Sequence, residues 1–337
     1  MKKLWSIMLG VLLLLSACSG QTETGSAPEE EKQSEEKTKM TVMLDWYPNA
    51  VHSFLYTAKE KGYFADEGLD VDFKFPANPT DPLNMTAAGE ITLGLTYQPD
   101  VIMAREKGLP VKSVAAIVRS PLNHVVFPEG SDIQSPKDLE GKTIGYPGIP
   151  INEPIIQTMI KNDGGDPEKA KMTDIGFELV SAIATERVDA VSGAYINHEV
   201  PILESKGHPV RYFDPSKYGV PNYYELVMVT SDDTWSKDEE AIRSFMDASR
   251  KAFNEMKAEP NESLETLLEN QDEANFPLDK EIEEESLQIL LPKMETEDEA
   301  FGTQTKKSWE ETAQWLKETG LVTEIPNLDE IFVNISE

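Results

Sequence analysis

Residues 41–75 read TVMLDWYPNAVHSFLYTAKEKGYFADEGLDVDFKF, and the fold class follows from this stretch. It opens with an apolar run, Thr41 to Leu44, that is typical of a buried strand. A helical pattern from His52 to Lys61 follows and stops at Gly62. Alternating apolar side chains then predict a second strand from Leu69 to Phe75. A strand, a helix and a strand in this order predict two parallel strands joined by a crossover helix.

The same alternation of strands and helices continues to about residue 230. Helices are predicted at 81–88 and 99–107, and strands at 91–95 and 111–118. A second unit starts at Asp138, and its predicted elements are strands at 142–146, 171–175, 190–191, 210–213 and 225–230 and helices at 153–162, 177–185 and 200–205. After Lys237 the chain reads as long amphipathic helices. This succession predicts an α/β protein with mostly parallel sheets flanked by helices.

Two similar units in a body of about 300 residues indicate two lobes, because single cores rarely grow to this size. We predict that lobe 1 comprises residues 40–126 and 230–337 and that lobe 2 comprises residues 127–229. The chain would cross between them at about 124–127 and return at about 227–230. In open α/β sheets ligands bind at the carboxyl ends of strands. A ligand cleft is therefore expected between the two lobes.

The amino terminus has the features of an export signal. Two lysines precede an apolar run that ends in Leu-Ser-Ala-Cys at 15–18, so residues 1–17 are predicted to be a signal peptide, too short to span a bilayer comfortably. Leu-Ser-Ala-Cys resembles a bacterial lipobox, which implies that Cys18 is the lipidated first residue of the mature protein. Residues 18–39 lack the apolar side chains that would offset the entropy of ordering, and they predict a disordered tether.

Composition and charge exclude several classes of partner. The formal net charge of −30 argues against nucleic acid, whose phosphates require a basic surface. Cys18 is the only cysteine, so no intrachain disulfide is possible. Of the arginines, only Arg119 lies near a predicted strand end by the crossing, whereas an anion receptor needs a guanidinium at its ligand. The pattern favours a neutral or weakly cationic flat heterocycle.

The turns that follow the predicted strands carry aromatic rings, amides and carboxylates together. Flat side chains stack on flat ligands, and a few polar groups fix their orientation. Each candidate also has a structural alternative: Trp46 as a core residue, His52 as the start of a helix, and Asp45 or Glu199 as stabilisers of a helix terminus. The ten candidate ligand contacts are Asp45, Trp46, Asn49, His52, Tyr97, Tyr146, Glu153, Tyr195, Glu199 and Tyr224.

The motif LDWYPN at 44–49, with His52, resembles the opening of the thiamine-pyrimidine family. The resemblance continues at 58–64, 67–69, 94–99, 104–110, 139–146 and 189–199, and covers nearly all of the body. That family includes yeast thiamine-pyrimidine synthases and bacterial ThiY-type solute-binding lipoproteins, and the chain is most similar to the solute-binding branch. The runs AKEKGYF and GKTIG alone would indicate only the wider superfamily of two-lobed binding proteins.

The resemblance implies a type II-like periplasmic-binding-protein fold and a specific role. The ligand would be a formylated aminomethyl-pyrimidine from degraded thiamine, salvaged through the permease and ATPase of an ABC transporter. Trp46 and Tyr195 would stack on it, and Asp45 and Glu199 would hold its amino-pyrimidine edge. Further contacts would come from Asn49, Tyr97, Tyr146, Glu153 and Tyr224. The protein would be a lipid-anchored monomer on the extracytoplasmic face of a bacterial membrane, with no cofactor, metal or catalytic residue.

Two alternatives remain open at this point. One is a receptor for another planar solute, such as thiamine, riboflavin or an aromatic sulfonate, and a sulfonate should require Arg119. The other is an iron-dependent pyrimidine synthase like some relatives. Those synthases use a cysteine-rich cluster, whereas this body has no cysteine and none of its four histidines has the spacing of metal ligands. Catalysis is therefore not expected.

Overall fold

The computed structural model describes residues 37–274 and 276–335. Within these residues, ten strands form two five-stranded sheets. The strands are β1 (Thr38–Met43), β2 (Leu69–Lys74), β3 (Leu93–Thr96), β4 (Val111–Val118), β5 (Asn123–Pro128), β6 (Thr143–Tyr146), β7 (Lys171–Asp174), β8 (Ala190–Tyr195), β9 (Val210–Phe213) and β10 (Leu226–Ser231).

Eleven α-helices occupy the same part of the chain. They are α1 (Ser53–Glu60), α2 (Tyr63–Asp66), α3 (Asp81–Ala87), α4 (Gln98–Glu106), α5 (Asn152–Asn162), α6 (Leu179–Ala184), α7 (Glu199–Ser205), α8 (Asp232–Ala258), α9 (Pro260–Glu269), α10 (Lys280–Met294) and α11 (Lys306–Glu318). Side chains cap several of the longer helices: Asp279 accepts from the backbone N–H groups of Glu281 and Ile282 at the start of α10. None of the helices in the described residues is both long and apolar enough to cross a bilayer.

The two sheets share one topology. The first has the strand order β2-β1-β3-β10-β4 and the second has the order β7-β6-β8-β5-β9. In the first sheet β10 runs antiparallel to both of its neighbours, and in the second sheet β5 does the same. The other four strands of each sheet run in one direction. The predicted two-lobed α/β fold with mostly parallel sheets is confirmed.

The antiparallel strands β5 and β10 coincide with the stretches predicted to cross between lobes. Both stretches are apolar and buried, which suits an inner strand, and each pairs on both sides. The chain therefore passes between sheets before Asn123 and returns before Leu226. β5 belongs to the sheet of lobe 2 and β10 to the sheet of lobe 1. The boundaries between the sheets therefore differ by a few residues from the predicted limits of 40–126, 127–229 and 230–337. Those domain limits stay a prediction.

The first sheet begins two residues before the predicted body. The N–H of Thr38 donates to the Gly68 carbonyl at 2.9 Å, and β1 pairs with β2 from that residue onward. Backbone pairing needs no apolar side chain, which explains why composition alone extended the predicted tether to residue 39. The predicted signal peptide, Cys18 and the tether up to residue 36 lie outside the described residues.

In lobe 1, helix α3 packs closely on strand β3. Gly94 on β3 lies against α3, where an added Cβ would be 2.6 Å from Thr86 Oγ1 and 2.8 Å from the Pro82 carbonyl oxygen. Leu93 and Leu95 beside it are fully buried. This contact fixes β3, and with it the turn that carries Tyr97 at the carboxyl end of the strand.

Candidate functional site

A cavity lies between the two sheets, at the carboxyl ends of their strands. Six of the ten predicted contacts line it, four from lobe 1 and two from lobe 2: Asp45, Trp46, Asn49, Tyr97, Tyr195 and Glu199. The remaining lining residues are Val51, Val118, Leu122, Asn123, Pro147, Ile149, Ile151, Asn152, Gly193, Asn197, His198, Glu225 and Leu226.

Asp45 is held in the wall of lobe 1 by the histidine behind it. The Nδ1 atom of His52 accepts the backbone N–H of Asn49 at 3.1 Å, so its Nε2 carries the proton and donates to Asp45 Oδ1 at 3.0 Å. His52 is fully buried and does not line the cavity. The Asn49 side chain accepts the N–H of Val51 at 3.2 Å and caps the helical turn Ala50–His52. The motif therefore builds a rigid support for one carboxylate.

Aromatic rings from both lobes meet beside the cavity. The Trp46 ring is 4.3 Å from the ring of Phe177, in an edge-to-face arrangement across the cleft. Tyr47 stacks on Phe276 at 3.7 Å and lies 4.8 Å from Phe177. Trp46 thus contacts the opposite lobe as well as lining the cavity. Phe177 and Phe276 were not among the predicted contacts, because a single phenylalanine carries no distinguishing pattern.

Glu199 is the carboxylate of the lobe 2 wall. Its Oε2 accepts the backbone N–H of Tyr195 at 2.8 Å, and its Oε1 is 2.8 Å from Nδ1 of His198. Burial opposes the charge on His198, but the carboxylates of Glu199, Glu283 and Asp45 outweigh it and raise the pKa of His198 to about 9. Glu199 therefore has a cationic neighbour in His198. His198 was not among the predicted contacts.

Glu225 is a second buried acid in the wall, and it lies just before β10. Its Oε2 accepts the backbone N–H groups of Leu122 at 2.7 Å and Asn123 at 2.9 Å, and its Oε1 accepts the Tyr195 hydroxyl at 3.2 Å. Burial raises the pKa of Glu225 to about 7 despite these hydrogen bonds. Glu225 joins the two passages between the lobes and orients the Tyr195 ring. A carboxylate directly before a buried apolar strand was the sequence signal that could have found it.

Amide groups form part of the lobe 2 wall. Asn123 accepts the N–H of Gly193 at 2.7 Å and donates to Asn152 Oδ1 at 2.9 Å. Gly193 has a φ of +103°, and an added Cβ would be 2.8 Å from Cδ of Pro147. A glycine is required here because other residues rarely adopt this backbone conformation and would also clash with the proline.

Three further predicted contacts lie away from the cavity, in addition to His52. The hydroxyl of Tyr146 donates to Glu153 Oε1 at 3.1 Å, and neither residue lines the cavity. Tyr224 is buried with its hydroxyl accepting the N–H of Thr305 at 2.8 Å, within lobe 1. The backbone N–H of Tyr224 donates to the Gln98 side chain at 2.9 Å. The structure therefore gives Tyr224 a packing role inside lobe 1.

Arg119 does not face the cavity. Its Nη2 is 2.7 Å from Glu299 Oε2, and its Nη1 donates to the Thr303 carbonyl at 2.7 Å. The side chain is almost fully buried in this network. Among the described residues that line the cavity there is no lysine and no arginine. The polar groups that line the cavity are carboxylates, amides, phenols and an imidazole. They suit a flat ligand with hydrogen-bond donors better than an anion.

A family model described as NMT1/THI5 like matches residues 49–263, more than half of the chain. The chain belongs to the NMT1/THI5-like family. A formylaminopyrimidine-binding protein of Halalkalibacterium halodurans is 54% identical over 93% of this chain and 92% of its own length. A 4-amino-5-hydroxymethyl-2-methylpyrimidine phosphate synthase of Saccharomyces cerevisiae is 27% identical over 71% of this chain and 73% of its own length.

The fold of this NMT1/THI5-like protein is also found in solved structures. The alkanesulfonate-binding protein SsuA from Xanthomonas axonopodis pv. citri, bound to MOPS, superposes with a TM-score of 0.72 and 15% identity, over 89% of this chain and 99% of that one. At this identity the likeness shows the fold alone, which is that of periplasmic binding proteins. The predicted family and fold are confirmed.

Proposed function

We propose that this protein is the extracytoplasmic solute-binding protein of an ABC importer for thiamine salvage. Its solute is N-formyl-4-amino-5-aminomethyl-2-methylpyrimidine. The observation that carries the proposal is one cavity with Asp45 and Trp46 in one wall and Tyr195 and Glu199 in the other. The high identity to a formylaminopyrimidine-binding protein supports this ligand.

The chemistry of the cavity matches an aminopyrimidine. An exocyclic amino group donates hydrogen bonds, and carboxylates such as Asp45 and Glu199 accept them strongly. Trp46 and Tyr195 offer aromatic faces to the flat ring. The amides of Asn49, Asn123 and Asn152 can hydrogen-bond to a formylamino group, which has both a carbonyl acceptor and an N–H donor.

Capture works by closure of the cleft. The binding groups come from two lobes, so a ligand makes both sets of contacts only when the lobes approach. The permease and ATPase subunits of the importer would act on this closed form. Cys18 would anchor the protein to the extracytoplasmic face of a bacterial cell membrane through its lipid, and the protein would act as a monomer without a cofactor.

The proposal is binding without catalysis. Pyrimidine phosphate synthases are relatives, so turnover needs a direct test. The sequence has no cysteine after Cys18, and in the part that the structure describes no three His, Cys, Asp or Glu side chains are placed to hold a metal ion. The ion pair of the buried Arg119 with Glu299 also disfavours a sulfonate receptor, because it holds the expected guanidinium away from the cavity.

The test is mass spectrometry of the small molecule released on denaturing the purified protein, followed by calorimetric titration. We expect the formylated pyrimidine to be released and to bind more tightly than thiamine, riboflavin or an aromatic sulfonate. Glu199→Gln should weaken binding, whereas Glu153→Gln, outside the cavity, should not. Preferential binding of another of these solutes, or bound iron with turnover, would overturn the proposal.

A further inference from the structure

Glu283 on α10 connects the two turns that carry the cavity walls. Its Oε2 accepts the backbone N–H of Ala50, the residue that follows Asn49, at 2.7 Å. Its Oε1 is 4.0 Å from Nε2 of His198, the residue that precedes Glu199 in the chain. Glu283 is buried, yet it does not line the cavity. One carboxylate from a third element thus contacts a lobe 1 turn and a lobe 2 turn at once.

A second contact on the same face of α10 reaches the same lobe 2 turn. Ser286 follows Glu283 by three residues, so the two side chains are neighbours on the helix. The side-chain amide of Asn197 donates to Ser286 Oγ at 2.9 Å, and both residues are buried. Asn197 and His198 are therefore both held by α10, through two independent polar contacts across the cleft.

We propose that Glu283 is a positioning residue that holds the cleft shut by joining Ala50 in lobe 1 to His198 in lobe 2. The expected effect of Glu283 on the affinity for the pyrimidine rests on the proposed function. Opening of the cleft keeps the contact with Ala50, since α10 and the turn at 50–52 both belong to lobe 1, and breaks the contact with His198. The buried carboxylate then loses the positive charge that compensates it, which disfavours the open state.

The charges around His198 make this effect depend on pH. Glu199 faces His198 from its own segment, Glu283 faces it from α10, and Asp45 acts from lobe 1, while His52 of lobe 1 acts on Glu283. Against the opposition of burial, these carboxylates raise the pKa of His198 to about 9. In an open cleft Glu283 and Asp45 move away and this pKa falls. Closure is therefore favoured below the open-state pKa of His198, and the advantage is lost as pH rises through about 9.

The first test measures opening without any ligand. Spin labels are attached through Asp72→Cys on β2 and Thr173→Cys on β7, two exposed positions on different lobes, in a full chain with Cys18→Ser. Glu283→Gln should shift the distance distribution between the labels to longer values. Glu285→Gln, an exposed acid on the same helix, is the control and should match the parent. A Glu283→Gln distribution that coincides with the parent overturns the proposal.

The second test is calorimetry with the formylated pyrimidine between pH 7 and pH 10. We expect Glu283→Gln to weaken binding about 10- to 100-fold at pH 7, the usual range of coupling between sites. The parent should lose affinity as pH approaches 10, and the variant should lose less, because His198 no longer gains a second carboxylate on closure. Equal pH profiles contradict the proposal, since a merely structural role would leave the profile unchanged.

Two outcomes separate this inference from the proposed function. If no chain binds the pyrimidine but Glu283→Gln still lengthens the label distance, the ligand is wrong and the role of Glu283 stands. If all chains bind equally and the distances agree, the ligand stands and the role of Glu283 is wrong. Ser286→Ala provides a second variant should Glu283→Gln fail to fold, and it should lengthen the same distance by breaking the contact with Asn197.

Discussion

Replacement of Trp46 by alanine removes an indole that lines the cavity and also contacts Phe177 across the cleft. The two losses can be separated. Stacking of a flat ring on an aromatic side chain contributes about 1–3 kcal/mol. An edge-to-face ring pair contributes about 0.5–1.5 kcal/mol beyond its area. Their sum, roughly 1.5–4.5 kcal/mol, corresponds to binding that is weaker by about 13-fold to 2,000-fold.

The assay is calorimetric titration of the formylated pyrimidine into Trp46→Ala, Phe177→Ala and the parent. Phe177→Ala removes the ring pair but leaves the indole in the cavity wall, so it should weaken binding by about two- to thirteenfold only. Trp235→Ala is the matched control, because Trp235 lies on α8 outside the cavity. It should leave affinity unchanged.

Two results would refute this reasoning. Affinity of Trp46→Ala within twofold of the parent would show that the indole does not stack on the ligand. Equal losses in Trp46→Ala and Phe177→Ala would show that Trp46 acts only by packing the lobes together. Circular dichroism and thermal unfolding of each variant exclude loss of folded protein as the cause.

Three other predictions concern stability. Glu225→Gln should flatten the pH dependence of urea unfolding. Burial raises the pKa of Glu225 in the folded state to about 7 from 4.5. The parent therefore loses stability, by about 3 kcal/mol at most, as pH rises through that window. Equal slopes for both proteins would contradict this. Gly94→Ala should lower the unfolding free energy by about 1–3 kcal/mol through overpacking, whereas Gly130→Ala, with open space around it, should not. Tyr224→Phe should lower the unfolding free energy by about 1–3 kcal/mol, because the partly buried N–H of Thr305 loses its acceptor, with pyrimidine affinity unchanged. Weaker binding by Tyr224→Phe would return Tyr224 to the ligand site.

Local patterns predicted the secondary structure and much of the cavity. The strand predicted at 111–118 is β4 with the same limits, and the helix predicted at 153–162 is α5, which begins one residue earlier. In each segment the spacing of the apolar residues matches one type of regular structure, a strand at 111–118 and a helix at 153–162. The rule that ligands bind at the carboxyl ends of strands placed Asp45, Tyr97 and Glu199 together, although they are far apart in the chain.

The direction of individual side chains was harder to predict. His52 stands within the binding motif, but it lies behind Asp45, because the helical turn at Ala50–His52 folds its ring back onto the N–H of Asn49. Tyr224 sits beside Glu225, and the extended backbone sends one side chain into lobe 1 and the other to the cavity. A shift of one residue in register would have exchanged them, and nothing in the local pattern fixes that register.

The amino-acid order was sufficient to establish an alternating α/β chain, two units, and turns whose rings and carboxylates suit a flat solute. These properties depend on neighbouring residues, and so they are visible without coordinates. The contacts of Glu283 with Ala50 and His198, and of Phe177 with Trp46, join segments separated by more than eighty residues. Such contacts arise from how the two sheets pack across the cleft. The neighbouring carboxylates then raise the pKa of His198, and burial raises the pKa of Glu225. The existence of these contacts follows from the assembled fold, because no short-range spacing encodes which distant surfaces meet.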